Sequence, residues 1–258
     1  MTERARPDLS VVIIAYNEEA NLERCLKSIP RGAEIIVLDS ESRDRTCAIA
    51  QSYGARVYQR PFTNFAEQKN AANGYASSTW ILSLDADEEL SEELSQAILA
   101  IVTFPNPKIS GYRLRRSLVF MGRRMRYGKT VDRPLRLFRR EHASYHGSIH
   151  EELKLNQGKK AKLSEGTIWH YSYRDLSDYF VRFNRYTSAI AEQHAREGRK
   201  VPSLLHVLRP WFEFLVRYFL RLGCLDGYPG YTYALISSLY AYIKYAKLVE
   251  LKGQTHVE

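Results

Sequence analysis

Three short apolar runs, each breaking off at a carboxylate, constrain this chain more than any other feature. LSVVIIA (9–15) leads into Tyr16-Asn17-Glu18-Glu19, EIIVL (34–38) stops at Asp39-Ser40, and WILSL (80–84) runs into Asp85-Ala86-Asp87-Glu88-Glu89. Apolar runs this short, with little polar alternation, suit strands buried on both faces of a parallel sheet. Between them lie helical patterns. Residues 18–29 carry apolar side chains at 22, 26 and 29 and end before Pro30; 44–53 is stopped by Gly54; 64–76 is polar with small residues. A short strand is expected at 55–58, and Ser91 caps a helix reaching about Thr103, before Pro105 and Pro107. Strands alternating with helices imply right-handed crossovers and an open, mostly parallel α/β sheet.

After Pro107 the pattern changes. Residues 111–122 and 134–139 read as basic strands with a loop at 128–132, followed by irregular or strand segments over 145–155 and 161–173. From Arg174 the pattern is helical, with Pro202, Pro210 and the glycines at 227–230 as interruptions. The expected organisation is a main domain over 1–173, with parts over 1–107 and 108–173 that the family resemblance described below implies to be the donor-binding and acceptor halves of a catalytic domain, and a helical appendage over 174–258.

The ends of the apolar strands carry the chemistry. Ligands of open α/β sheets sit at the carboxyl ends of the strands. Neither GxGxxG after the first strand nor GxxxxGK[ST] occurs, so a nucleotide would be held through side chains and metal rather than a glycine-rich turn. Asp85 and Asp87 lie two apart and, in an extended segment, share a side. Two carboxylates about 4 Å apart repel by about 1 kcal/mol in water and about 4 at an effective dielectric of 20, so a bridging cation is expected. Oxygen ligands of this kind suit Mg²⁺ or Mn²⁺.

The segments SVVIIAYNEEANLERCLKSI, EIIVLDSESRDRT, FAEQKNAANGYA and WILSLDADEEL, in that order and spacing, resemble the family 2 glycosyltransferases, inverting enzymes of the GT-A fold. Length, the IHEEL segment and the Tyr-rich tail look like the bacterial lipopolysaccharide core β-glucosyltransferases. The resemblance implies a GT-A α/β fold with a C-terminal helical appendage. It also implies transfer of a hexose, glucose from UDP-glucose, to an acceptor hydroxyl on an inner-core sugar. By the same resemblance Tyr16, Glu18 and Asp39 hold the base and ribose of the donor, Lys69 lies near the diphosphate, Asp85 approaches the sugar or ribose, and Asp87 binds the divalent metal. One departure is that a single Asp39 followed by Ser40 stands where many members have two acids. The family's base is often an Asp. Here His150-Glu151-Glu152 occupies that place, with Glu151 the expected base and His150 its competitor. His170 in TIWHYSY is either a further metal ligand or a structural histidine.

Charge is concentrated in the middle of the chain. Residues 108–140 hold twelve Lys/Arg opposed by Asp132 alone; that stretch carries +11, so the rest sums to −2 against the net +9. Such a stripe faces nucleic acid, anionic lipid or a phosphorylated substrate, or is a solvated face. Arg133 and Arg136 are candidates for acceptor or diphosphate contacts. A nucleic-acid module would leave the acidic strand ends unexplained, so no nucleic-acid partner is expected. A polyprenyl-phosphate acceptor is the alternative within the enzyme class. The tail over 204–222 is too polar to span a bilayer, and 227–243 is too short. Its aromatic and basic interleaving fits a helix lying on an anionic membrane, against the alternative of packing on the protein. Tyr171, Tyr173, Tyr179 and Tyr186 are at packing spacing. Three widely spaced cysteines without CxxC fit buried thiols in a reducing compartment. The opening run is too short for an export signal, so a cytoplasmic, peripheral membrane location is expected.

Overall fold

The computed structural model describes residues 6–147, 151–199 and 204–254, which divide into two compact units. The first comprises 1–116 and 132–170, and the second 117–131 and 171–258.

The first unit is built on a seven-stranded sheet. Strands β1 (Leu9–Ala15), β2 (Glu34–Asp39), β3 (Arg56–Gln59) and β4 (Trp80–Asp85) are parallel neighbours. They are continued by β6 (Ile109–Arg113), β10 (Leu135–Arg139) and β13 (Lys159–Lys162) in the order β13-β6-β10-β4-β1-β2-β3, with β10 antiparallel to both neighbours. Alternate side chains of the parallel strands enter two separate cores. Val11, Ile13, Val37, Leu82 and Leu84 face α1 (Leu22–Lys27), α2 (Thr46–Ser52) and α4 (Glu92–Thr103); Val12, Ile36, Leu38 and Ile81 face α3 (Phe65–Gly74). Each such buried side chain stabilises by roughly 1.5–3 kcal/mol, which explains why the runs are apolar throughout rather than alternating. Trp80 lies in this core, as expected for a residue opening a buried strand.

Two helices begin later than the periodicity suggests. The amides of Glu18 and Glu19 donate to Thr46 Oγ1 (2.8 Å) and Asp44 Oδ2 (3.1 Å), so 18–21 forms a turn and α1 starts at Leu22. Asp44 Oδ1 accepts from the Thr46 amide at 2.9 Å, so α2 starts at Thr46. Ser91 caps α4 as expected, accepting from the Leu94 amide at 3.3 Å. β5 (Glu88–Leu90) pairs with β14 (Ile168–His170), His170 opposite Glu88, and β11 (Ala143–His146) with β12 (Glu152–Leu155).

In the second unit, β7 (Arg116–Phe120, its first residue still in the first unit) and β8 (Arg123–Arg124) form a hairpin, and β9 (Val131–Asp132) pairs with β7. Met121 and Gly122 at the hairpin tip both have positive φ, the conformation that tight hairpins demand. Leu118, Phe120 and Met125 pack with Tyr173, Tyr179, Phe183, Tyr233 and Ile236, so this hairpin shares a core with the C-terminal helices. Those helices are α5 (Leu176–Arg196), α6 (Leu204–Leu215), which runs on into a π-helical turn at Val216–Leu220, and α7 (Gly227–Gln254). Lys247 Nζ ties α7 to α5 through the Asn184 carbonyl (3.0 Å), Asn184 Oδ1 (2.6 Å), Thr187 Oγ1 (2.9 Å) and Ser188 Oγ (2.8 Å). Pro210 lies inside α6 rather than interrupting it, and Gly227 opens α7 rather than breaking a helix. α6 sacrifices one backbone hydrogen bond at Pro210, and aromatic packing of Phe214 on Tyr231 (5.7 Å) supports it from the next turn. Pro202 lies outside the described residues.

Candidate active site

The parallel register brings the strand-end residues to one level. Asp39 is opposite Ala15, and Asp85 is opposite Ile14. Asn17, at positive φ, turns the chain out of β1, and its side-chain oxygen accepts from the Arg43 amide at 2.8 Å while its own amide donates to Ser42 Oγ at 2.8 Å. The loops after β1 and β2 are thus fastened to each other by side-chain to backbone bonds. Asp39 is buried; its Oδ2 accepts from the Ser42 amide (2.9 Å) and Gln59 Nε2 (3.3 Å), while Oδ1 has no hydrogen-bond partner among the described residues. Tyr16 is exposed, and Glu18 Oε2 accepts from Asn21 Nδ2 at 2.9 Å.

Asp85 and Asp87 do not share an extended segment. β4 ends at Asp85, Ala86–Asp87 is a turn, and the two carboxylates have different partners. Asp85 is balanced by protein cations: Lys69 Nζ at 3.2 Å, Arg136 Nη2 at 2.5 Å and Arg116 Nη1 at 3.9 Å. Arg136 also reaches Glu88 Oε1 at 2.7 Å, Arg116 reaches the same oxygen at 3.1 Å, and Arg116 Nη2 pairs with Asp132 Oδ2 at 2.6 Å. Glu88 Oε2 in turn accepts from the Asp85 amide at 3.0 Å. Burial alone would raise the Asp85 pKa, but Arg136 and Lys69 hold it well below the usual carboxylate range. Asp85 is thus offset by side-chain cations, Lys69 from α3 and Arg116 and Arg136 from the basic segment.

Asp87 lies instead against His170, Oδ2 to Nε2 at 3.3 Å, with both side chains partly exposed. Burial lowers the His170 pKa, but the Asp87 hydrogen bond and charge outweigh it and leave it raised. Among the described residues no group of three His, Cys, Asp or Glu side chains is arranged around a common point. A carboxylate beside an imidazole is a donor pair chemically suited to a divalent ion, which Asp87 and His170 would hold together.

Lys69 comes from α3, whose Asn64 cap accepts from the Glu67 amide at 2.9 Å. The small residues Ala66 and Ala72 let this helix approach the sheet, and Gln68, Lys69 and Asn73 are buried on that face. Asn70 binds the backbone of Tyr145 at both ends (2.8 and 2.9 Å), and the Tyr145 hydroxyl donates to Ser83 Oγ at 2.9 Å. Lys69 Nζ also lies 3.4 Å from Glu151 Oε1. A cavity of about 280 Å³ brings Lys69, Asp85, Arg116, Arg136, Tyr145 and Glu151 to one surface. His150 lies outside the described residues. Arg133 is elsewhere, its Nη1 donating to the Leu163 carbonyl at 3.3 Å.

Glu88, Arg116 and Asp132 were not singled out by sequence. Glu88 was visible as part of DADEEL, and Arg116 and Asp132 as part of the basic stretch, but nothing in the sequence pairs them. That stretch does not form one cationic face: Arg139 lies over the Trp80 ring at 4.7 Å, Arg115 donates to Thr167 Oγ1 at 2.8 Å, and Arg136 is buried. Of the cysteines, Cys25 is buried and Cys47 and Cys224 are partly so. Burial and the neighbouring carboxylates Glu88, Asp87 and Asp85 push the Cys25 thiol well up.

The family model for "Glycosyl transferase family 2" matches residues 10–173. The chain belongs to glycosyl transferase family 2. It is 30% identical over 265 residues, 97% of this chain and 96% of the relative, to the lipopolysaccharide core biosynthesis glycosyltransferase LpsC of Rhizobium meliloti. An uncharacterized glycosyltransferase of Rickettsia bellii is 31% identical over 98% of this chain and 90% of its own length. Among solved structures, a mannosyltransferase from Pyrobaculum calidifontis in complex with GDP-Man and Mn²⁺ matches with a TM-score of 0.56 at 14% identity, covering 95% of this chain and 87% of its own. The fold is thus GT-A-like, and the chain is a glycosyltransferase.

Proposed function

We propose that this family 2 enzyme transfers a hexose, glucose from UDP-glucose, to a hydroxyl of a lipopolysaccharide core saccharide, with inversion at the anomeric carbon. The observation that carries the donor half is the placement of Asp39 and Asp85 at the carboxyl ends of β2 and β4, on either side of β1, with Asp87 in the turn that follows β4, beside His170. The name of the Rhizobium relative supports the acceptor class. The finer donor identity rests on the family resemblance.

In this reading Asp39, with its unpartnered buried oxygen, and Tyr16 and Glu18 hold the base and ribose, while Lys69 stands near the diphosphate. Asp85 approaches the sugar. Asp87 and His170 hold a divalent metal, which offsets charge on the departing diphosphate when bound. Glu151, or His150 beside it, accepts the proton of the acceptor hydroxyl as its oxygen bonds to the anomeric carbon and the bond to the diphosphate breaks. Arg136 contributes by holding Asp85 ionised and fixed. Calorimetric titration with UDP, with and without Mn²⁺, tests the donor site. Metal-dependent UDP binding lost in Asp87→Ala and in His170→Ala supports it; binding unaffected by either substitution or by metal overturns it.

A further inference from the structure

The solvent side of α6 carries an apolar face. Val207, Leu208, Trp211, Phe212 and Leu215 are each 50–70% exposed. At 100° per residue they fall within a sector of roughly 140°, the width of stripe that normally faces a core. Phe219, Leu220 and Leu222 extend the exposed apolar surface through the π-helical turn and just beyond it. The internal packing of this helix is already supplied by other side chains. Phe214 and Tyr218 lie 5.7 and 5.6 Å from the Tyr231 ring of α7, and Glu213 pairs with Lys129 (3.2 Å) and Arg217 (3.4 Å). Contiguous exposed apolar surface of this kind, with Trp and Phe at its centre, marks a contact with a partner or a membrane.

Charge decides what covers it. Arg209 and Arg221 are exposed beside the apolar face, and Glu213, the single acid of 204–222, is neutralised by its two cationic partners. An apolar face with Trp and Phe, bordered by arginines and lacking an unpaired carboxylate, matches a bilayer surface bearing anionic headgroups, with the helix in the plane of the interface. No described helix is long and apolar enough to cross a membrane. We propose that the Val207–Leu215 face of α6 docks this protein on anionic lipid, with Trp211 and Phe212 as the inserted side chains and Arg209 and Arg221 on the headgroups.

Trp211 makes the test direct. The chain has three tryptophans, and Trp80 and Trp169 are buried whereas Trp211 is 70% exposed. The full chain is mixed with vesicles of phosphatidylcholine alone or with about one third phosphatidylglycerol, and co-sedimentation and tryptophan emission are recorded. Expected are binding to the anionic vesicles with a blue shift, weakening with added salt, and at least tenfold weaker partitioning for Trp211→Glu. Arg209→Glu with Arg221→Glu should weaken binding to anionic vesicles while leaving the fold, judged by circular dichroism, unchanged. Trp211→Phe should keep binding and lose the blue shift. Failure to bind anionic vesicles overturns the proposal. So does a concentration-dependent dimer that Trp211→Glu dissolves and that shows no vesicle binding, since the face would then belong to a second copy. No sugar donor is present, so this outcome is separate from that of the UDP titration.

Discussion

Arg136→Met removes the buried guanidinium that holds half-buried Asp85 at 2.5 Å and buried Glu88 at 2.7 Å. At an effective dielectric near 20 a unit pair about 4 Å apart is worth about 4 kcal/mol, so two attractive terms, about 8 in total, are forfeited. Three effects offset part of that loss. Repulsion from Lys69 and Arg116 disappears, a guanidinium need no longer be desolvated, and Lys69 (3.2 Å to Asp85) and Arg116 (3.1 Å to Glu88) remain. The net loss expected for removing one partner of a buried ion pair is about 3–5 kcal/mol, or on the order of 10 °C in melting temperature for a unit of this size. Arg136→Lys keeps the charge but loses the fork that spans two carboxylates, and should cost about 1–2 kcal/mol. Urea unfolding is best followed by tryptophan fluorescence in a Trp211→Phe background, where Trp80 and Trp169 both report on the first unit. A loss below about 1 kcal/mol for Arg136→Met would refute the view that Arg136 carries a large share of the neutralisation of Asp85 and Glu88.

Other outcomes follow from the same geometry. Glu151→Gln should lower kcat by about 10²–10⁴ with UDP affinity retained, measured by single-turnover transfer to a purified core saccharide; loss of UDP affinity instead would assign Glu151 to the donor. Gly166→Ala places a Cβ 2.3 Å from the Leu94 amide nitrogen at positive φ, and should cost about 2–4 kcal/mol in chemical denaturation. Gly54→Ala has the same sign of φ but open space around it, and should cost only about 1–2 kcal/mol. Burial pushes the Tyr173 phenol up to about 12, above the ordinary value of 10. Stability from this group is therefore intact below pH 10 and declines as pH rises from 10 through 12, because the unfolded chain ionises first. Tyrosinate absorbance should show a late-titrating component that Tyr173→Phe diminishes.

Much of the donor half was legible in the sequence because its signals are local. An apolar run of five to seven residues states that both faces of a strand are buried, and β1, β2 and β4 form where those runs lie. Ser91 was readable as a cap because it bonds an amide three residues on. The true starts of α1 and α2 were not readable, since the acceptors that cap 18–19 come from residues about 25 further along the chain. For the same reason a DxD read as an extended strand misses the turn at Ala86–Asp87.

The sequence by itself determined the family, the parallel sheet and the acidic strand ends, all properties of contiguous segments. Only the tertiary structure decided how the charges are matched. Asp85 and Glu88 take Arg116 and Arg136 from a segment some 30 to 50 residues away, Asp87 takes His170, and Glu151 lies beside Lys69. Composition records that twelve cations occupy 108–140, but a cation inside a carboxylate cluster and a cation in water are the same letter. Burial and a partner within about 4 Å separate them, and both are set by how the strands and helices pack.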